Sequence, residues 1–80
     1  MTEIQTLDKL PKDVPARITD ITSDDADVVM RLREIGFAEG DEVEALHFGL
    51  LGRNPMSVRL NGALIALRRR EASCVHVSVI

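Results

Sequence analysis

Residues 30–41 read Met30-Arg31-Leu32-Arg33-Glu34-Ile35-Gly36-Phe37-Ala38-Glu39-Gly40-Asp41, and this stretch decides the fold. Arginines in a last helical turn, a glycine at the left-handed C′ position and a phenylalanine that can fold back are typical of a Schellman helix end. The next residues, 38–41, fit a type II turn with glycine in third place. The stretch therefore predicts a helix that stops at a glycine and turns sharply into a strand.

The helix itself is predicted over about residues 24–35. Ser23 is a favourable N-cap, and Asp24 and Asp25 place negative charge in the first turn, where the helix dipole favours it. One face of the helix is apolar and is predicted to pack on the core: Val28, Val29, Leu32 and Ile35.

The rest of the chain is typical of short strands. Period-2 patterns predict five of them, over residues 14–21, 42–48, 56–60, 63–68 and 75–79. The dipeptide Asn61-Gly62 is a strong signal for a two-residue hairpin. Residues 42–48 have one face that starts charged and ends apolar, which predicts a bulge or bend. Because an open sheet this small would expose long edges, closure into a barrel is expected.

Three short segments complete the predicted architecture. Leu7 and Leu10, followed by Pro11, suit one helical turn that covers the core. Residues 69–73 suit a single turn with Ala72 facing inward, and residues 1–6 suit a frayed end. The chain of 80 residues is thus predicted to be one mainly β domain, residues 1–80. It would be a small five-stranded SH3-like barrel with one inserted helix.

Composition excludes several classes of protein. The net charge is −3, and the chain has two Phe and no Trp or Tyr. These features disfavour a general nucleic-acid surface, which needs basic charge and stacking rings. The one basic run, residues 68–70, is followed by Glu71. It is interpreted mainly as a solvated strand end, with contact to a phosphate or an acidic partner as the alternative.

The expected location is the cytoplasm. A single cysteine makes no internal disulfide, which fits a reducing compartment. The first residues resemble no signal peptide. No stretch approaches the ~20 apolar residues of a membrane span, so no membrane insertion is expected.

The best candidate functional site is the segment between the second and third predicted strands. Leu50 and Leu51 lie side by side between glycines, on a loop that a small barrel can hardly bury. Exposed adjacent leucines often mark a docking surface, and Arg53 can supply a charged rim contact. The predicted partner-binding residues are Leu50, Leu51, Arg53 and Met56. The alternative is that a leucine caps the barrel mouth, and we expect one leucine to serve each purpose.

Catalytic and metal sites are weaker candidates. The sequence shows neither the serine, histidine and acid spacing that would activate a nucleophile nor a glycine-rich phosphate-binding loop. Glu42 and Glu44 share a strand face, which is typical of a solvated surface. Cys74 and His76 lie two residues apart, and His47 could join them only if its strand were a neighbour. Structural zinc normally takes four ligands, so no metal site, cofactor or catalytic residue is predicted.

The order of these elements resembles the FeoA family of small cytosolic proteins of bacterial ferrous iron transport. The resemblance covers about residues 7–79, and its most specific part is the helix–glycine–turn–glycine stretch. It departs from the family at residues 11–13, where similar sequences often have a glycine, and in a more apolar tip. The matching positions are Leu32, Ile35, Gly36, Phe37, Gly40, Val43, Leu51, Gly52, Pro55, Ala66, Leu67, Arg68, Ala72, Val75 and Val77.

The resemblance implies a non-enzymatic SH3-like accessory that docks onto the FeoB transporter, a membrane protein with a cytosolic GTPase domain. It does not imply that this chain binds iron. Three alternatives stay open. One is a regulatory or metal-sensing module of a metalloregulator, using Cys74, His76 and His47. Another is a nucleic-acid-binding barrel, using Arg59 and residues 68–70. The third is weak self-association.

Overall fold

The computed structural model describes residues 4–80, apart from the side chains of Ile4 and Arg53. The protein is mainly β, as predicted: its six strands form one antiparallel sheet in the order β1-β6-β2-β3-β4-β5. A 3-10 turn, Leu7–Lys9, follows β1. The strands and helices are β1 Ile4–Thr6, β2 Pro15–Ile21, α1 Ala26–Ile35, β3 Glu42–Gly49, β4 Arg53–Leu60, β5 Ala63–Leu67, α2 Arg69–Ala72 and β6 Val75–Val79.

The sixth strand was not predicted. Ile4–Thr6 forms β1, which pairs with β6 from Ile4↔Ser78 to Thr6↔His76. The expected frayed end is therefore wrong for these residues, and residues 1–3 lie outside the described part of the chain. Three residues are too few to show a strand period in the sequence, and the pairing with β6 is what identifies them as a strand.

Helix α1 begins two residues later than predicted. Asp25, not Ser23, is the N-cap, because its side chain accepts the backbone N–H of Asp27 at 2.9 Å. Ser23 acts one step earlier, since its Oγ accepts the N–H of Asp25 at 3.1 Å. The observed N-cap thus differs from the predicted one, but both lie within residues 23–25, which are all residue types that favour the N-cap position.

The apolar face of α1 is narrower than predicted. Leu32 is fully buried, whereas Val28 and Val29 are partly buried beside the core and Ile35 is exposed. The helix is therefore anchored mainly by Leu32, and its outer side remains open.

The end of α1 confirms the predicted Schellman motif. The N–H of Gly36 donates to Arg33 O at 3.1 Å, and the N–H of Phe37 donates to Leu32 O at 3.0 Å. Gly36 has a φ of 126°, a backbone conformation that residues other than glycine rarely adopt. Phe37 is 1% exposed and is the largest fully buried side chain.

The predicted type II turn follows at once. Asp41 N–H donates to Ala38 O at 3.2 Å, and Gly40 has a φ of 92°. Gly40 N–H also donates to Ile18 O at 2.8 Å, which ties the turn to β2.

An ion pair closes the segment. Both Nη atoms of Arg33 donate to the two carboxylate oxygens of Glu39 at 3.0 Å. These bonds lower the pKa of Glu39 to about 2 and raise that of Arg33. Together, residues 26–41 form what we call the helix–turn segment.

The predicted bulge in β3 and the predicted hairpin at Asn61-Gly62 are both present. The register of β3 against β4 shifts between Ala45 and His47, which confirms the predicted bulge. Asn61 and Gly62 have φ values of 49° and 89°, as a type I′ hairpin requires. This turn sets the register of β4 and β5 from Leu60↔Ala63 to Met56↔Leu67.

The core is aliphatic apart from Phe37. The predicted inward residues Leu7, Leu10 and Ala72 are all fully buried. The 3-10 turn contacts α2, and α2 contacts β4, so these two short elements connect opposite ends of the sheet. No helix among residues 4–80 is long and apolar enough to cross a membrane.

Candidate functional site

The hairpin tip, residues 49–55, comprises the end of β3, the loop 50–52 and the start of β4, which begins three residues earlier than predicted. The chain reverses over residues 50–52, where Gly52 has a φ of 63° and Asn54 N–H donates to Leu51 O at 3.0 Å. At the base, a Cβ on Gly49 would overlap the backbone of Asn54. Glycine at this position therefore lets the two strands approach closely, and the tip projects beyond the sheet on a narrow base.

Both leucines of the tip face solvent. Leu50 is 98% exposed and Leu51 is 84% exposed. The expectation that one of them caps the barrel mouth is wrong, because the narrow turn directs both away from the core. Two adjacent leucines therefore remain in water, at a position where folding gains nothing from them.

The other two predicted partner-binding residues differ from the leucines. Met56 is 0% exposed and belongs to the core, so it is removed from any docking surface of this structure. The alternation of β4 places Met56 on the inner face together with Val58 and Leu60. The side chain of Arg53 lies outside the described part of the chain, and its contact with a partner stays a prediction.

A groove that the sequence analysis did not predict lies beside the tip. It has a volume of about 530 Å³ and is lined by Leu51, Asn54, Pro55, Arg68 and Arg70. We call it the tip groove. It joins the exposed leucine of the hairpin to two arginines that come from a different part of the chain.

A hydrogen bond fixes the arginines beside the tip. The backbone N–H of Arg69 donates to Asn54 Oδ1 at 2.6 Å. The turn of α2 is itself held by Glu71, whose Oε1 accepts the N–H of Arg68 at 2.9 Å. Glu71 is buried and lies 3.5 Å from Arg31 Nη1.

The three arginines of the basic run have different environments. Arg69 Nε lies 3.9 Å from Asp8 Oδ2, a buried carboxylate of the 3-10 turn. Arg68 and Arg70 are exposed, and neither has an ion-pair partner among the described side chains. The tip groove thus combines an apolar wall with two unneutralised positive charges. Both interpretations of the run, a solvated strand end and contact with a phosphate or an acidic partner, are compatible with these exposed arginines.

The signal for this groove was present in the sequence. Counting pairs back from Asn61-Gly62 gives Met56↔Leu67, and one further step places Pro55 opposite Arg68. The hairpin register therefore implied that the tip and the basic run meet. The sequence interpretation treated the two segments separately, and so missed their contact.

The candidate metal ligands do not converge. His47 lies on β3 and His76 on β6, and β2 lies between these strands. His76 Nε2 is 2.8 Å from Thr22 Oγ1, while Cys74 Sγ is 3.5 Å from Arg70 O. Among residues 4–80, no three His, Cys, Asp or Glu side chains are grouped so as to hold a metal ion.

The carboxylate pair on β3 also has an ordinary environment. Glu44 Oε1 accepts a hydrogen bond from Arg59 Nη1 at 3.2 Å, across the β3–β4 pair. Glu42 is exposed. Such a cross-strand ion pair is typical of the outer face of a sheet.

Comparisons with known proteins agree on the fold. The model of the FeoA domain family matches residues 5–79. Among curated proteins, none matches the sequence significantly.

Solved structures add detail. FeoA of Stenotrophomonas maltophilia, complexed with zinc, is 35% identical with a TM-score of 0.79, over 91% of this chain and 88% of that one. It is described as a prokaryotic SH3 domain protein and proposed to be a ferrous iron transport activating factor. FeoA of Chlorobium tepidum is 29% identical with a TM-score of 0.81, over 95% of this chain and 70% of that one.

A manganese-dependent transcriptional repressor shares the fold alone. It has a TM-score of 0.88 at 15% identity, and this chain spans 44% of its length. The predicted SH3-like architecture is therefore confirmed, with one strand more than expected. Contrary to expectation, strand pairing does not close the sheet among residues 4–80, because β1 and β5 remain its two edges.

Proposed function

We propose that this chain, which belongs to the FeoA family, is a non-enzymatic cytoplasmic accessory protein of bacterial ferrous iron uptake. It docks onto the FeoB-type transporter, at or near the GTPase-bearing cytosolic region. The exposed leucines of the hairpin tip carry this proposal, supported by the relatives that are themselves FeoA proteins.

The tip has the physical properties of a docking site. Burial of a fully exposed leucine is worth about 1.5–3 kcal/mol, and Leu50 and Leu51 offer this energy in one small area. Aromatic rings are absent from the tip, so the leucines would serve as the apolar anchors. The arginines of the tip groove form a polar rim, which fits the usual anatomy of an interface.

Binding energy is the means by which this protein would act. If the tip binds one state of the transporter more tightly than another, it shifts the equilibrium between them by the difference in affinity. Neither a nucleophile nor a resident cofactor is needed. The effect would be on assembly of the transporter or on its GTPase cycle.

The test is calorimetric titration of the protein with the cytosolic GTPase region of the transporter, with and without a GTP analogue. We expect Leu51→Asp to weaken binding by about tenfold or more, because it places a charge in an apolar contact. Met30→Asp is the matched control, since Met30 is also an exposed apolar residue (59%) but lies on α1. Equal binding by wild type and Leu51→Asp would refute the tip as the docking site.

The regulatory alternative has support from the fold alone, because the repressors are only distantly similar. It predicts tight, stoichiometric binding of Fe2+ or Zn2+ that is lost in Cys74→Ser. Equilibrium dialysis of the purified protein decides between the two functions.

A further inference from the structure

Strand β5 lies at one edge of the sheet that the described residues form. Among residues 4–80, β4 is the only strand that pairs with β5, so the other side of β5 has no neighbouring strand. Natural edge strands are usually guarded by charged residues, proline or a bulge. Ala63–Leu67 reads Ala-Leu-Ile-Ala-Leu, has neither charge nor proline, and pairs with β4 without a register shift. Leu64 on this strand is 72% exposed.

The hairpin register shows which backbone groups of β5 point outward. Leu60 and Ala63 flank a two-residue turn, and such a flanking pair exchanges hydrogen bonds. Alternation then directs Ile65 and Leu67 toward β4. The N–H and C=O groups of Leu64 and Ala66 face the free edge, which is the pattern that an added strand requires.

The free edge continues into the tip groove. Arg68 follows the last residue of β5 directly and lines the groove together with Leu51 and Arg70. A chain lying along β5 would therefore run toward Arg68 and Arg70, which have no ion-pair partner among the described side chains. Arg68 thus connects the free edge to the tip groove.

The positive charges of Arg68 and Arg70 favour one kind of binding partner for the free edge of β5. A second copy of this chain, pairing β5 with β5 about a two-fold axis at Ile65, would place Arg68 opposite Gly62 and leave the arginine without a partner. An extended segment with an acidic side chain near its end would neutralise Arg68 or Arg70. The acidic segment is thus the better match.

We propose that the partner adds an extended, acidic segment as a seventh strand on the free edge of β5, with its acidic side chain in the tip groove. The inference rests on the proposed function, because it names how the transporter would be recognised. Backbone hydrogen bonds to Leu64 and Ala66 supply the affinity, and the arginines select the charge.

The first experiment follows amide hydrogen exchange in the complex with the GTPase region. We expect exchange at Leu64 and Ala66 to slow by about tenfold or more, because these amides gain a hydrogen-bond partner. The amides of Ile65 and Leu67 already bond to β4 and serve as the internal reference. Binding without any change at Leu64 and Ala66 would overturn the inference and leave the tip proposal intact.

A variant pair tests the backbone directly. Ala66→Pro removes the outward N–H, a change that an edge strand tolerates, whereas Ala66→Ser keeps it. We expect only Ala66→Pro to lose binding, by about tenfold or more, with the thermal midpoints of both variants confirming the fold. Equal binding by both variants contradicts the added strand.

A peptide arm separates this inference from the proposed function. If the GTPase region binds in no nucleotide state, a capped peptide of alternating glutamate and valine is titrated by NMR against its lysine counterpart. Shifts at Leu64 and Ala66 with the acidic peptide alone support the edge site. No shifts, or equal shifts with both peptides, overturn it. Concentration-dependent protection of these amides without any partner also overturns it, because the occupant is then a second copy.

Discussion

The helix–turn segment and the hairpin tip use apolar side chains in opposite ways. In the helix–turn segment, Leu32 and Phe37 are buried, and the backbone groups at the helix end are paired within the segment. In the tip, Leu50 and Leu51 face water. Folding explains the first pair and does not explain the second. This difference is the observation on which the proposed docking site rests, and variants of the two regions test it.

The largest expected effect is on stability. Phe37→Ala should lower the free energy of unfolding by about 3–5 kcal/mol, because it empties a fully buried site. Leu51→Ala should change it by less than about 0.5 kcal/mol. Urea unfolding measures both. A comparable loss in Leu51→Ala would show that the tip supports the fold, and the contrast between the two regions would fail.

A second variant examines the link between the regions. Glu71→Ala should cost about 1–3 kcal/mol, because it leaves the N–H of Arg68 without its acceptor and Arg31 without its partner. Glu71→Gln keeps an acceptor and should cost less. If α2 positions the tip groove, Glu71→Ala should also weaken partner binding beyond its effect on stability. If the folded Glu71→Ala variant binds the partner with unchanged affinity, α2 does not position the tip groove for binding.

The charged rim should affect binding but not folding. The double change Arg68→Glu and Arg70→Glu should weaken docking by about tenfold, since both arginines lack ion-pair partners among the described residues. Lys12→Glu, an exposed change of the same sign elsewhere, is the control. Titration at two salt concentrations checks the origin of the loss, because an electrostatic contact weakens with salt. A loss of binding free energy in Lys12→Glu half as large as that in the double variant would indicate a net-charge effect, because the double variant changes twice the charge.

The smallest effect is on the pH dependence of stability. The pKa of Glu39 is lowered to about 2 by Arg33, so its stabilising contribution is present above its ordinary value of 4.5. The contribution disappears as the pH falls from that value toward 2. Glu39→Gln should therefore be less stable than wild type near neutral pH, and the two proteins should converge in acid. Parallel unfolding curves from pH 7 to 2.5 would contradict this.

Much of the fold followed from short-range rules. The Schellman end at Gly36 and Phe37, the turn at Gly40 and the hairpin at Asn61-Gly62 were all predicted, since each depends on a few adjacent residues. The errors occurred where the local signal was degenerate or absent. Ser23 and Asp25 are equally good caps, and β1 is too short to show a period.

The candidate site was only half accessible to the same reasoning. The sequence pattern predicted the tip leucines as partner-binding residues. It did not predict that both are exposed, nor that Met56 is buried. The hairpin register was enough to bring Arg68 beside Pro55. The position of Arg70 also required the helical turn of α2 and its bond to Asn54.

The sequence by itself determined the local elements of this protein and the family to which it belongs. The tertiary structure alone decided that β1 adds a sixth strand, that β2 separates His47 from His76, and that Arg70 joins Arg68 in the tip groove. The physical reason is one of range. Caps, turns and hairpins are set by hydrogen bonds between residues close in sequence. Strand neighbours and side-chain exposure depend on how the whole chain packs around one core.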